Sequence, residues 1–285
     1  MNKPCSLLMA GTVAMALSQF NVAQGESWKD NTIAPVTNPL FFEAAQINTE
    51  IRPIFIHHEI PTSFLGGGDA NVYAVQARWA ATERLAIIAT KDGYVDLDLP
   101  GAGISANGWA DIAFGLKYAV VDDEENQLLV TPGLKLEVPT GEGDVFQNNG
   151  DGEWNLFVSA VKGFDDLHFT GSVGVRIPND GDEESSFLHW SAQVDYYTCK
   201  WFIPFVAFNS FTVLSGGTGA IPVEGYDLIN FGSAAADGDT YNAVGFGFRS
   251  RLHDRVDLGF AYENGVGSDE GIFDDRYTVD MIISF

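Results

Sequence analysis

Three groups of side chains have types and spacings that could do chemistry. His189 and Ser191 stand two apart, and His168 and Ser172 repeat the combination at longer range. A histidine beside a serine is the start of a base and its nucleophile, but such a centre needs a third group to orient the base. Without a Gly-x-Ser-x-Gly turn, a zinc-type histidine pair or a phosphate-binding loop, polar lining is the plainer reading and no enzyme is expected. The second group is the acidic stretch GEGDVFQNNGDGE, where Asp144, Asn148, Asn149, Asp151 and Glu153 offer oxygen ligands for calcium or magnesium. Its spacing departs from an EF-hand, so Asp144, Asp151 and Glu153 are weak metal candidates. A solvated acidic loop is the simpler expectation, with no metal and no cofactor.

The third group is the largest. Glu50, Arg52, Arg78, Lys117, Lys135, Arg176, Asp195, Arg249, Arg251 and Asp280 fall on the polar side of alternating stretches. Charges on one face of neighbouring strands can pair across a sheet, at about 0.2–1 kcal/mol per pair. They can also touch a solute that passes them. The two readings, a stiffening ladder and a polar conduit, weigh evenly.

The elements that must position these residues are strands. The chain closes on Tyr277, Val279, Met281, Ile283 and Phe285, alternating with Arg276, Thr278, Asp280 and Ser284; Ile282 is the exception. Such period-2 alternation gives one oily and one polar face. Comparable stretches predict twelve strands: 47–58, 71–82, 84–97, 107–121, 126–139, 153–163, 166–178, 186–198, 201–214, 240–252, 255–263 and 275–285. Short and long connections alternate between them, as in a bacterial barrel with tight turns inside and long loops outside. Pro132 and Pro204 interrupt two of the strands, and each predicts a bulge or a wide spot. Tyr73, Trp154, Trp190, Tyr241, Tyr262 and Tyr277 fall near one set of strand ends. Trp79, Tyr118, Tyr196, Trp201 and Phe285 fall near the other. Two aromatic belts are what two lipid–water interfaces select.

The expectation is an all-β fold: a twelve-stranded antiparallel transmembrane up-and-down β-barrel with both termini periplasmic. Residues 1–25 read as a signal peptide: Lys3, then an apolar run from Ser6 to Phe20, then Ala23-Gln24-Gly25. Residues 26–46 form an amino-terminal lead, with Pro39-Leu40-Phe41-Phe42 a candidate periplasmic plug, and residues 47–285 the outer-membrane barrel. In the connection 215–239, the apolar run Tyr226-Asp227-Leu228-Ile229-Asn230-Phe231 is too oily to wave in water. Tyr226, Asp227 and Phe231 are expected to narrow the mouth. Tyr277 and the terminal Phe285 are the expected assembly signal.

With 15 Lys+Arg against 39 Asp+Glu, the net charge is −24, so binding to nucleic acid is excluded as an expectation. With Lys91, Asp111, Glu137 and Asp257 added to that strip, the inward charges are eight bases and six acids, nearly balanced in sign, so the excess must lie in loops and turns. The expected partners are outer-membrane lipid and lipopolysaccharide, the barrel-assembly machinery and a small-molecule solute.

The stretch from Gly108 to Tyr118, GWADIAFGLKY, followed by Leu136-Glu137-Val138-Pro139-Thr140-Gly141, resembles an outer-membrane barrel family. Its members are often labelled transporters of the meta-pathway for phenol degradation. Ala110 replaces the glycine often seen before the family's Asp. The resemblance implies passive uptake of small, often aromatic or apolar solutes across the outer membrane. The leading expectation is therefore a channel for passive uptake through a charged lumen. The alternatives are a closed structural or adhesive barrel with acidic surface loops and, last, an outer-membrane lipid hydrolase.

Overall fold

The computed structural model describes residues 27–267 and 271–285. The expected signal peptide lies outside the described residues. Fifteen strand segments form one antiparallel sheet: β1 (Glu50–Ile60), β2 (Gly68–Ala80), β3 (Leu85–Lys91), β4 (Tyr94–Leu99), β5 (Ile104–Trp109), β6 (Ile112–Tyr118), β7 (Val121–Asp123), β8 (Leu128–Val138), β9 (Glu153–Phe164), β10 (Leu167–Pro178), β11 (Ser186–Tyr196), β12 (Ile203–Ser215), β13 (Thr240–His253), β14 (Val256–Val266) and β15 (Asp275–Ser284). The segments make twelve staves, because β3 and β4 together face β2, and β5 continues into β6. The small β7 pairs only with the foot of β8. The first stave pairs with both β2 and β15, so the sheet closes on itself as a barrel.

Alternation decides which way each side chain points. On β2, Tyr73, Val75 and Trp79 are exposed, while Gln76 and Arg78 between them are buried. The same division runs round the wall, with Phe114, Leu116, Leu156, Val173 and Phe246 outward. Staves of 11 to 14 residues such as β1, β2 and β13 reach or exceed the roughly 9–11 that cross a bilayer when tilted. Among the described residues no helix is long and apolar enough to cross a membrane. Two strands whose apolar runs leave the facing open in sequence are assigned by burial. In β12, Ile203, Phe205, Ala207, Asn209, Phe211 and Val213 turn inward; in β9, Glu153, Asn155, Phe157 and Ser159 do.

The prolines sit where a ladder is already interrupted. Pro132 lies where the neighbour of β8 changes from β6, last paired at Gly133, to β7, paired at Val130. Beyond Phe205 the pairing of β12 with β11 ends, and Pro204 pairs only with β13. At the closing seam, β1 pairs with β15 on either side of Arg52 and Pro53 but not at them. Two expectations are corrected. The third and fourth staves extend as a hairpin turning at 100–103, so the wide loop expected over 98–106 is a tight turn. Tyr241, assigned to the outer belt, points inward: it is buried and donates its hydroxyl to Phe273 O at 2.9 Å.

Candidate functional site

The interior of the barrel is occupied by the chain's own amino-terminal segment. A short 3-10 turn, Trp28–Asn31, begins at the rim, where Lys29 pairs with Asp122 and Glu124. From there the chain rises through the lumen, turns at Asn38–Phe42, and descends to Thr49. Ile33, Val36, Thr37, Asn38, Phe41, Phe42, Glu43 and Ala45 are all buried. Phe285 N donates to Thr49 O at 3.0 Å, so the segment leaves by the rim where the last strand ends.

Wall side chains hold it chiefly through its backbone carbonyls. Arg249 donates to Ala34 O, Arg52 to Pro35 O at 2.6 Å, Gln76 to Pro39 O at 2.7 Å and Lys135 to Leu40 O at 2.6 Å. Ser159 donates to Glu43 O at 2.7 Å, Lys117 to Ala44 O at 2.8 Å and Thr131 to Ala45 O at 2.7 Å. Proline and extended backbone leave those carbonyls without an internal partner, and the wall satisfies them. The inward glycines make room for this segment. A Cβ on Gly245 would lie 2.6 Å from Thr37 Cγ2, and one on Gly259 would strike the Asp280 carboxylate.

The charged side chains fall into two kinds of cluster. In the first, wall pairs with wall or with an outer loop. Asp280 accepts from Arg52 Nε at 2.7 Å and from Arg249 at 2.8 and 3.0 Å. Arg276 forks onto Glu263 at 2.9 and 3.0 Å and also reaches Asp227. Arg176 pairs with Glu153 at 2.7 Å, Lys91 with Glu137 at 2.5 Å, and His168 with Asp195 at 2.8 Å. Arg251 is half-buried, 3.9 Å from Asp257. In the second kind, the counter-ion comes from the inner segment. Arg78 forks onto Glu43 through Nε at 2.8 Å and Nη2 at 2.6 Å, and Lys117 Nζ reaches the same carboxylate at 2.8 Å. Glu50 meets Arg78 at 3.3 Å.

The rim opposite Lys29 and Phe285 is covered by loops. Tyr226, Asp227 and Phe231 of the connection 216–239 are buried. Arg176 donates to Tyr226 O, and the Glu224 carboxylate accepts from Phe231 N, Ser233 N and Ser185 Oγ. Phe41, at the top of the inner segment, shares one aromatic cluster with Phe211, Tyr226 and Tyr241. Burial, with Glu153 and Glu137 nearby, pushes the loop residue Glu184 up to about 8.

The remaining candidates separate. His189 hydrogen-bonds Asn155, whereas Ser191 accepts from Asn38, so no base meets a nucleophile there. Asp144 and Asp151 are exposed while Glu153 is buried against Arg176. Among the described residues no cluster of three or more ligating side chains could hold a metal ion. Tyr277 faces outward and Phe285 is 70% exposed. Sequence reasoning did not single out Glu43, Glu224, Glu263 and Arg276. Alternation with Thr278 and Asp280 marks Arg276, and alternation with Gly259 and Ala261 marks Glu263. Glu43 and Glu224 lie outside any strand and carry no such signal.

Family models and curated proteins give no match to this chain. Solved structures do. An outer-membrane channel from Pseudomonas putida F1 superposes with a TM-score of 0.62 at 11% identity, over 89% of this chain and 100% of that one. The NanC porin gives 0.53 at 11% identity, over 83% and 100%. The β domain of the Bordetella autotransporter BrkA gives 0.50 at 12% identity, over 84% and 100%. At such identities the likeness is one of fold, and with the apolar outer face it shows a porin-like β-barrel of the bacterial outer membrane.

Proposed function

We propose that this barrel is a channel for passive passage of small solutes, held shut by its amino-terminal segment from one side and by the 216–239 loop from the other. The observation that carries this reading is how the inner segment is held: a re-entrant loop bound largely by side chain-to-carbonyl hydrogen bonds, entering and leaving by one rim. Such a segment can leave without unpairing a single stave. Tight turns at 165–166 and 254–255 lie on the rim of Lys29 and Phe285, which supports a periplasmic position for both ends of the mature chain. The aromatic or apolar solute class we propose comes from the family resemblance; the cavity of about 20 Å³ among His58, Phe64, Val145, Phe146, Leu228 and Ile229 is packed core with room for about one water, and does not define the solute. The lumen strip Glu50, Arg52, Arg78, Lys117, Lys135, Arg176, Asp195, Arg249, Arg251 and Asp280 would then be the solute path. Lipopolysaccharide would meet the acidic outer loops through bridging divalent cations.

A second reading, a permanently closed structural barrel, is favoured by the burial of nearly every lumen side chain. One experiment separates the two. Asn38 Nδ2 and Ser191 Oγ lie 3.1 Å apart, so in an Asn38→Cys, Ser191→Cys variant a short bis-methanethiosulfonate bridge, whose added atoms make up for the shorter cysteine side chain, can tie the segment to the wall. In planar bilayers the bridged form should be silent and the reduced form should conduct. Equal conductance in both states, or none in either or in the wild type, overturns the channel reading.

A further inference from the structure

We propose that Arg78, Lys117 and Lys135 form a binding site for a small organic carboxylate in the conducting state, and that Glu43 fills it as the chain's own surrogate ligand in the closed state. The inference rests on the reading of residues 27–49 as a plug. Its basis is an asymmetry among the lumen cations. Arg52, Arg249, Arg276, Arg176 and Lys91 each have a carboxylate from the wall or an outer loop. Lys117 and Lys135 do not: their hydrogen-bonding partners among the described residues are Glu43, Ala44 O and Leu40 O, all on the inner segment.

Removing the segment would leave Arg78, Lys117 and Lys135 around a space with Glu50 as the wall carboxylate on Arg78. Gln76 Oε1 accepts from Arg78 Nη2 at 3.1 Å and helps fix the guanidinium plane. The geometry already in place suits a carboxylate: two parallel guanidinium N–H bonds to its two oxygens, with an ammonium on one of them. A buried cation that loses its partner is costly, so the vacated site must take up water or an anion. The body of the anion has a neighbour too. Phe157 of the wall lies under Lys135, with Nζ 5.7 Å from the ring centroid, and offers an apolar face beside the charge. A monocarboxylate with a compact apolar body fits this chemistry, and a solute without the charge does not.

Benzoate and its neutral isostere benzamide are suitable probes, applied to the full-length protein in planar bilayers. Glu43→Gln should raise the open probability about tenfold, the scale of one lost charge-assisted bond. Benzoate should raise the open probability of the wild type by competing with Glu43. It should also reduce the Glu43→Gln current saturably, and benzamide should do neither. Adding Arg78→Gln to Glu43→Gln should weaken the benzoate effect by about tenfold or more. Glu43→Asp, which keeps the charge and shortens its reach, is the second variant and should open to an intermediate extent. Equal responses to benzoate and benzamide would reduce Glu43 to a tether and overturn the proposal. So would closed Glu43→Gln and Glu43→Asp channels alongside a reducible Asn38→Cys, Ser191→Cys pair that does gate, and in that case the plug reading survives. If the cysteine pair does not gate either, the plug reading fails first.

Discussion

Two charge clusters inside one barrel are built on opposite plans. Around Asp280, one carboxylate from β15 satisfies Arg52 of β1 and Arg249 of β13, and all three groups are part of the wall. Around Glu43, one carboxylate satisfies Arg78 of β2 and Lys117 of β6, but it rides on a segment that is no stave. Among the described residues, the inner segment's hydrogen bonds to the Asp280 cluster are made by the neutral carbonyls of Ala34 and Pro35, beside which the apolar Val36 packs. The first cluster is complete whether or not the lumen is filled, and it braces the seam where Pro53 breaks the ladder. The second is complete only while the segment is in place. The difference teaches that buried ion pairs in one lumen can serve stiffness in one place and closure in another, according to which piece of chain carries the counter-ion.

The contrast can be broken most directly at Asp280. Asp280→Asn leaves two buried guanidinium groups short of a charge, and should cost about 3–5 kcal/mol of barrel stability, measured by urea unfolding in detergent micelles through tryptophan fluorescence. In the same assay Glu43→Gln should cost less than about 1 kcal/mol, because the segment can withdraw and water can take the place of the lost acceptor. Similar costs for the two variants would erase the distinction between bracing and closing clusters.

The outer seal gives a pH test. Glu184 has its carboxyl raised to about 8 by burial and by Glu153 and Glu137, with Arg176 and Lys91 opposing. A raised carboxyl binds more protons in the packed loop than in the released one, so packing is strongest at low pH. It should weaken as pH rises from the ordinary carboxylate range to about 8 and level off above. Conductance recorded across that window should rise, and Glu184→Gln should flatten the curve. The smallest effect belongs to the rim. Lys29→Ala removes partly exposed pairs to Asp122 and Glu124, and should loosen the segment by about 0.2–1 kcal/mol, fading in high salt, as read from open probability against ionic strength.

Much of the wall was legible because a strand in a barrel wall has one rule per position. Tyr73 and Trp79 out, Gln76 and Arg78 in, follow from period two alone. The same rule put Arg52 and Asp280 on the inner face, where closure of β1 on β15 brings them together. It failed where backbone geometry overrides alternation. Tyr241 has the type of a belt residue, but its register on β13 turns it inward to Phe273. The hairpin at 100–103 carries the polar pair Asp98 and Ser105 and the turn Pro100-Gly101 beyond the expected strand ends, so composition alone marked it as loop.

The sequence by itself determined an alternating chain whose oily face needs lipid and whose polar face needs a lumen, because a two-residue period is local and readable. Only the tertiary structure decided what fills that lumen. Glu43 meets Arg78 across 35 positions and Lys117 across 74, and no local pattern encodes such a meeting. It follows from closure of the sheet, which brings distant staves round one short segment and sets its single carboxylate among their cations.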